Sequence, residues 1–211
     1  MEKKKTALVL AGPSGGGKTT VMKELLKERL DFELVRSATT RARRGDGNDG
    51  EYLYFSKEEF SELVKCGKML EFTEYGGNFY GTPRTETERI IREGKTPILI
   101  LDINGVSTLK TQELDFDIYS VYIYAEPRVL SERLLKRYSD SGKEGHGAYI
   151  SRMKKNREDY ERAETWKSLF DTAIPSTTVF ETATDVLSAY SLRKKDFSPS
   201  KFTKMAEEFD I

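Results

Sequence analysis

The sequence predicts an α/β fold built around a central parallel sheet, and two patterns carry that expectation. Short apolar runs rich in β-branched residues alternate with longer stretches of helical spacing, an order that builds βα units on a parallel sheet. A glycine-rich stretch, "GPSGGGKT" at residues 12–19, falls between the first apolar run and the first helical stretch. At 211 residues the chain suits one domain, 1–211, long enough to bury a proper core.

Taken in order, "TALVLA" (6–11) reads as the first strand and residues 19–30 as the first helix. "PILILDI" (97–103) is a strand followed by a helix over 105–112, and "IYSVYIYA" (118–125) is a strand followed by a helix over 127–138. Two polar stretches interrupt the alternation. Residues 37–82 hold "SATTRARRGDGNDGEYLYF" and "EFTEYGGNFYGT", an insert rich in glycine, arginine and tyrosine and a poor candidate for core. Residues 138–164 are expected to begin as a flexible loop and continue as a highly charged helix. Both read as flaps over a site, leaving 1–36, 83–137 and 165–190 as the core. The tail, 191–211, is compatible with a short terminal helix and carries no functional signal.

Thirty-five basic and thirty-five acidic residues cancel, which argues against a nucleic-acid-binding surface and makes any basic site local. The apolar runs fall well short of the roughly 18 residues needed to span a bilayer. The start, "MEKKKTALVL", is too short in apolar residues for a signal peptide, so the expected location is cytoplasmic. Cys66 is the single cysteine and His146 the single histidine, so neither a disulfide nor a zinc set is available within the chain. Cys66 is expected in a helix and His146 in a loop.

The spacing G-x-x-x-x-G-K-[ST] is filled by Gly12, Gly17, Lys18 and Thr19, in the strand–loop–helix setting of a phosphate-binding loop. Glycines let backbone N–H groups curl around phosphate oxygens, and the helix N-terminus adds partial positive charge. The whole stretch, Gly12, Pro13, Ser14, Gly15, Gly16, Gly17, Lys18, Thr19 and Thr20, is therefore the candidate cradle for ATP or GTP. Lys18 would reach the β- and γ-phosphates and Thr19 would ligate Mg²⁺. Asp102, at the end of "PILILD", is the candidate carboxylate for the metal.

The acceptor side is carried by the insert. Its pieces "SATTRARRGD" (37–46), "EY" (51–52), "EF" (71–72) and "GNFYGT" (77–82), with the glycine loop, "LDI" and "ERLLKR" in the same order, resemble the guanylate kinase family over about residues 6–175. That resemblance implies a P-loop three-layer fold with a central parallel sheet, a nucleoside-monophosphate-binding insert (37–82) and a lid (138–164). It also implies ATP and GMP as partners, Mg²⁺ as cofactor, and ADP and GDP as products. Arg41 with Arg43 or Arg44, and the phenols of Tyr52 and Tyr80, are donors suited to the GMP phosphate. Glu71 is similar in position to the family's guanine-reading glutamate; a carboxylate accepts two bonds from guanine N1–H and N2–H, where adenine presents a repelling lone pair. Ser37, Thr82 and Asp102 would add contacts to the base. Arg133, Arg137 and Arg152 match arginines that the family aims at the transferring group, Arg133 and Arg137 lying four apart on one helix face. A phosphate with a second pKa of about 6 is mostly dianionic near neutrality and can attack without a general base.

Three departures mark this chain. "RARRGD" (41–46) is one residue shorter than the family's arginine–proline stretch and lacks its prolines. "LDINGV" places Asn104 directly before Gly105, two residues short and without a second carboxylate; the expected outcome is an earlier turn that takes Asn104 off the base and leaves Asp102 as the acceptor. Ser176 stands where the family has an asparagine that touches adenine. A kinase of another small acceptor, or a catalytically silent protein-binding module of the same fold, remain open as alternatives, the second opposed by the intact Lys18.

Overall fold

The computed structural model describes residues 5–43, 45, 49–139 and 142–209. In chain order, β1 (Thr6–Ala11) leads through the glycine loop into α1 (Lys18–Glu28) and then β2 (Phe32–Leu34). The insert holds β3 (Ser37–Thr39), a 3₁₀ turn at Asp49–Glu51, β4 (Tyr52–Tyr54), α2 (Lys57–Lys65), β5 (Met69–Tyr75) and β6 (Asn78–Pro83). There follow α3 (Arg84–Arg92), β7 (Thr96–Ile100), α4 (Ile103–Lys110), β8 (Asp117–Tyr124) and α5 (Pro127–Tyr138). Beyond these lie α6 (Gly142–Glu161), a kinked 3₁₀ stretch at Ala163–Leu169, β9 (Thr172–Pro175), α7 (Val179–Leu192) and α8 (Ser200–Ala206).

The main sheet has the order β2-β7-β1-β8-β9, and every neighbouring pair is parallel. β1 lies at its centre, with Leu8 opposite Ile98 on one side and Tyr119 on the other. Alternation along a strand sends successive side chains to opposite faces. Leu8 and Leu10 pack with Val21, Met22 and Leu25 of α1 and Val186 of α7, while Ala7, Val9 and Ala11 join the cluster containing Leu130, Leu134, Tyr160 and Trp166. Helices on both faces make three layers, and the carboxyl end of β1, flanked by β7 and β8, is the crevice where such sheets bind ligands.

The insert corrects one expectation, since it has a core of its own. Its four strands form a second sheet in the order β4-β3-β6-β5, and Ala38, Phe60 and Met69 are buried against it. Phe60 stacks on Phe79 at 5.5 Å. A capping box starts α2, with the Ser56 hydroxyl accepting from Glu59 N and the Glu59 carboxylate accepting from Ser56 N. β3 and β4, three residues each, show too little alternation to be seen in so polar a sequence.

The lid is a second correction. Residues 142–161 are one continuous helix, so His146 is helical and the glycines at 142, 145 and 147 do not make a loop. Packing overrides the glycine penalty, with Met153 and Asn156 buried and the Ser131 and Tyr149 hydroxyls 2.9 Å apart. Cys66 closes α2 rather than lying inside it, its N–H returning to Glu62 O. The tail helix is present as α8, and Phe202 on it is fully buried among Tyr122, Tyr160 and Trp166. No helix among the described residues is long and apolar enough to cross a membrane.

Candidate active site

The glycine loop is shaped by close approach. Gly12 has φ 146°, and a Cβ there would lie 2.0 Å from Ile123 O, so β1 can turn against β8 only with glycine. Gly17, at φ 92°, precedes α1 without a side-chain cap, and no acidic residue stands in the first turn. The first N–H groups of α1 are thus left for an anion. Lys18 folds back on its own loop, donating to Gly12 O at 2.7 Å and Pro13 O at 2.9 Å. Burial lowers its pKa to about 8, with Arg152 pushing the same way and Asp102 opposing.

Around this loop stand arginines of α5 and α6. Arg133 on α5 donates to Gly15 O at 3.1 Å, to Ser176 Oγ at 2.9 Å and to Ser176 O at 3.3 Å. The Ser176 side chain is therefore engaged with Arg133. Arg137, one turn further, is exposed, with its guanidinium 5.8 Å from the Tyr138 ring centroid. Arg152 on α6 donates to Ser14 Oγ at 3.3 Å.

In the insert, Arg41 lies over the Tyr52 ring at 5.2 Å, and its buried Nη1 has no hydrogen-bond partner among the described residues. Tyr52 and Tyr80 meet edge to face at 6.5 Å, and Ser37 is paired in register with Tyr52. Arg43 is exposed over the Tyr54 ring at 4.2 Å; Arg44 lies outside the described residues. Glu51, just before Tyr52, pairs with Lys23 of α1 at 2.9 Å, which brings this wall of the insert up to the glycine loop's own helix.

Glu71 is buried on β5, and its Oε1 accepts the Thr82 hydroxyl at 2.6 Å. A Cβ on Gly105 would meet Glu71 Oε2 at 3.1 Å, so the start of α4 lies directly against this carboxyl. Burial raises the Glu71 pKa to about 7, opposed by the Thr82 hydrogen bond and assisted by the charge of Asp102. Asp102 caps α4, accepting from Gly105 N at 2.7 Å. α4 therefore starts at Ile103, with Asn104 exposed in its first turn.

Two clefts result. One, of about 810 Å³, is lined by Thr73 and Glu74 of the insert, Asp102, Asn104 and the inner face of α6. The other, of about 610 Å³, is lined by Thr19, Thr20, Tyr52, Arg133, Arg137 and Ser176. They share Ser14, Lys18 and Arg152. Among the described residues there is no group of three or more His, Cys, Asp or Glu that could hold a metal by itself. Thr19 lines the second cleft and Asp102 the first, and a hydroxyl with a carboxylate is a donor pair of the type that suits Mg²⁺ completed by phosphate and water.

Sequence reasoning missed Asn156 and Asp159 of α6, both facing the first cleft. Asn156 bonds the backbone of Ser14 on both sides, and Asp159 pairs with Lys155 at 2.9 Å, its carboxyl raised by burial. The available signal was the i, i+4, i+8 stripe Arg152, Asn156, Tyr160 in an otherwise charged helix.

A phosphate loop at the carboxyl end of the central strand of a parallel sheet, met by Arg133 of α5 and Arg152 of α6, defines a P-loop nucleotide-kinase scaffold. The chain matches the guanylate kinase family over residues 4–191. It is 34% identical over 213 residues to the guanylate kinase of Enterococcus faecalis, covering 99% of this chain and all of that one. With the guanylate kinase of Oceanobacillus iheyensis it shares 35% identity over 167 residues, 79% of each chain. The crystal structure of guanylate kinase from Anaplasma phagocytophilum superposes with a TM-score of 0.61 at 25% identity, over 93% of this chain and 89% of that one. The chain belongs to the guanylate kinase family.

Proposed function

We propose that this chain transfers the γ-phosphoryl group of ATP to GMP, with Mg²⁺, giving ADP and GDP. The observation that carries the reading is the sharing of Ser14, Lys18 and Arg152 by the two clefts, so that phosphate groups reaching the loop from either cleft meet the same cations, Lys18 and Arg152. Gly12 to Thr20 cradle the donor phosphates. Lys18 exchanges its two loop carbonyls for β- and γ-oxygens as the triphosphate enters. Thr19 and Asp102 would hold Mg²⁺, which when bound neutralises charge on the transferring oxygens.

Arg41, with Arg43 or Arg44, and the phenols of Tyr52 and Tyr80 hold the acceptor phosphate. The buried Nη1 of Arg41, which has no partner among the described residues, supports this role, because such a guanidinium N–H is suited to an incoming anion. Glu71 reads guanine, with Ser37, Thr82 and Asp102 beside it. Arg137 and Arg152 close on the transferring group, and Arg133 steadies the loop and Ser176 on the donor side. The reaction then needs positioning and charge more than proton transfer, which suits a chain with a single histidine.

A bisubstrate analogue joining adenosine and guanosine through a phosphate bridge tests this arrangement. Hydrogen exchange should slow in residues 12–19, 71–82 and 142–161 together. Protection confined to one of these stretches, or no binding at all, would contradict it and favour a silent binding module.

A further inference from the structure

We propose that Asn156 is a positioning residue that holds the Ser14 peptide of the glycine loop in its donor-binding shape. Ser14 N donates to Asn156 Oδ1 at 2.8 Å, and Asn156 Nδ2 donates to Ser14 O at 2.9 Å. A single amide thus satisfies both backbone polar groups of one loop residue, and Asn156 is only 1% exposed, so water cannot substitute for it. One turn earlier on α6, Arg152 Nη1 donates to the Ser14 hydroxyl at 3.3 Å. One turn later, the Tyr160 hydroxyl donates to Ala125 O at 2.8 Å and accepts from Ala125 N at 3.3 Å. Residues four apart share a helix face, so the three side chains fasten α6 to the glycine loop and to the β8–α5 junction along one line.

Two consequences follow from this geometry. The Ser14 N–H faces α6 and is taken by Asn156, so within the stretch from Gly12 to Thr20 it is the other backbone N–H groups that face the phosphates. The loop also meets its ligand already shaped, and a preformed site loses less conformational freedom on binding than a loose one. This inference rests on reading residues 12–19 as the donor site.

The test compares wild type with Asn156→Ala and Asn156→Leu in the full chain, measuring KM for ATP, KM for GMP, kcat and melting temperature. Leucine keeps the volume and the helix while removing both hydrogen bonds, so it separates positioning from packing. In both variants KM for ATP should rise about tenfold, equivalent to about 1.4 kcal/mol, with kcat and KM for GMP within about twofold. Recovery of the wild-type ATP constant in Asn156→Leu, or a parallel rise of both KM values, overturns the proposal. Wild type without ATP affinity would remove the donor-site reading and this proposal with it; wild-type affinity with unmoved variants overturns this proposal alone.

Discussion

Glu71 and Thr82 face each other across the β5–β6 pair, and the Thr82 hydroxyl donates to the Glu71 carboxylate at 2.6 Å in a buried setting. One carboxylate oxygen is thereby committed to the fold, while the other lies against Gly105 at the start of α4. The carboxyl is fixed in direction but costly to ionise.

Glu71→Gln should weaken GMP by about 1–3 kcal/mol, the usual worth of a bidentate base contact, and leave ATP binding unchanged. Titration calorimetry with each nucleotide checks this. The same residue gives a signed pH dependence. Its folded-state pKa lies at about 7, above the ordinary 4.5, so in that window the folded protein keeps a proton that the unfolded chain has released. Stability from this group is complete below about 4.5 and is lost as pH rises through 7. Urea melts at about pH 5 and pH 7.5 should show this loss in wild type and its absence in Glu71→Gln.

Lys18 gives the opposite sign. Burial and Arg152 lower its pKa to about 8 from 10.5, so at about pH 8.5 a good share of the protein carries a neutral amine. A triphosphate restores the ammonium, and ATP binding at that pH should take up protons. Calorimetry in buffers of different ionisation enthalpy measures the uptake, which should vanish in Lys18→Ala together with nearly all transfer.

Asp102 caps α4 through its Oδ1, and asparagine preserves that bond while removing the charge. Asp102→Asn should therefore fold normally and be severely impaired in transfer. Asn104, exposed in the first turn of α4, should matter far less: Asn104→Asp and Asn104→Ala should change KM for GMP less than about threefold. Steady-state kinetics on the three variants decides the matter, and a large gain in GMP affinity for Asn104→Asp would show that the position faces the base.

Phe202 lies beyond the family match, which ends at residue 191, yet it is fully buried against Tyr122, Tyr124, Tyr160 and Trp166. Phe202→Ala should cost about 3–5 kcal/mol, as for other large-to-small core changes. Because Tyr160 carries one end of the α6 stripe, hydrogen exchange in α6 should rise as well, which chemical melts and exchange on the variant can test.

The sheet was legible because fully buried parallel strands such as Ala7–Ala11 are written as continuous apolar runs, and the loop because Gly12 and Gly17 have no substitute at their backbone angles. The helical course of 142–147 was not legible, since three glycines in six residues mimic a loop and only packing against α5 and the glycine loop reveals otherwise. Asn156 escaped for a related reason. Its partners are backbone atoms 142 residues away, and no local pattern announces a contact at that separation.

The acceptor-transfer reading meets its most direct test in one assay, ADP release from ATP with Mg²⁺ and, side by side, GMP, dGMP, AMP and UMP. Rapid turnover with GMP and dGMP, which share the guanine edge, and rates with AMP and UMP lower by a factor on the order of a hundred or more are expected from a buried carboxylate reading that edge. Equal rates with AMP and GMP, or turnover with none of the four, would contradict the account.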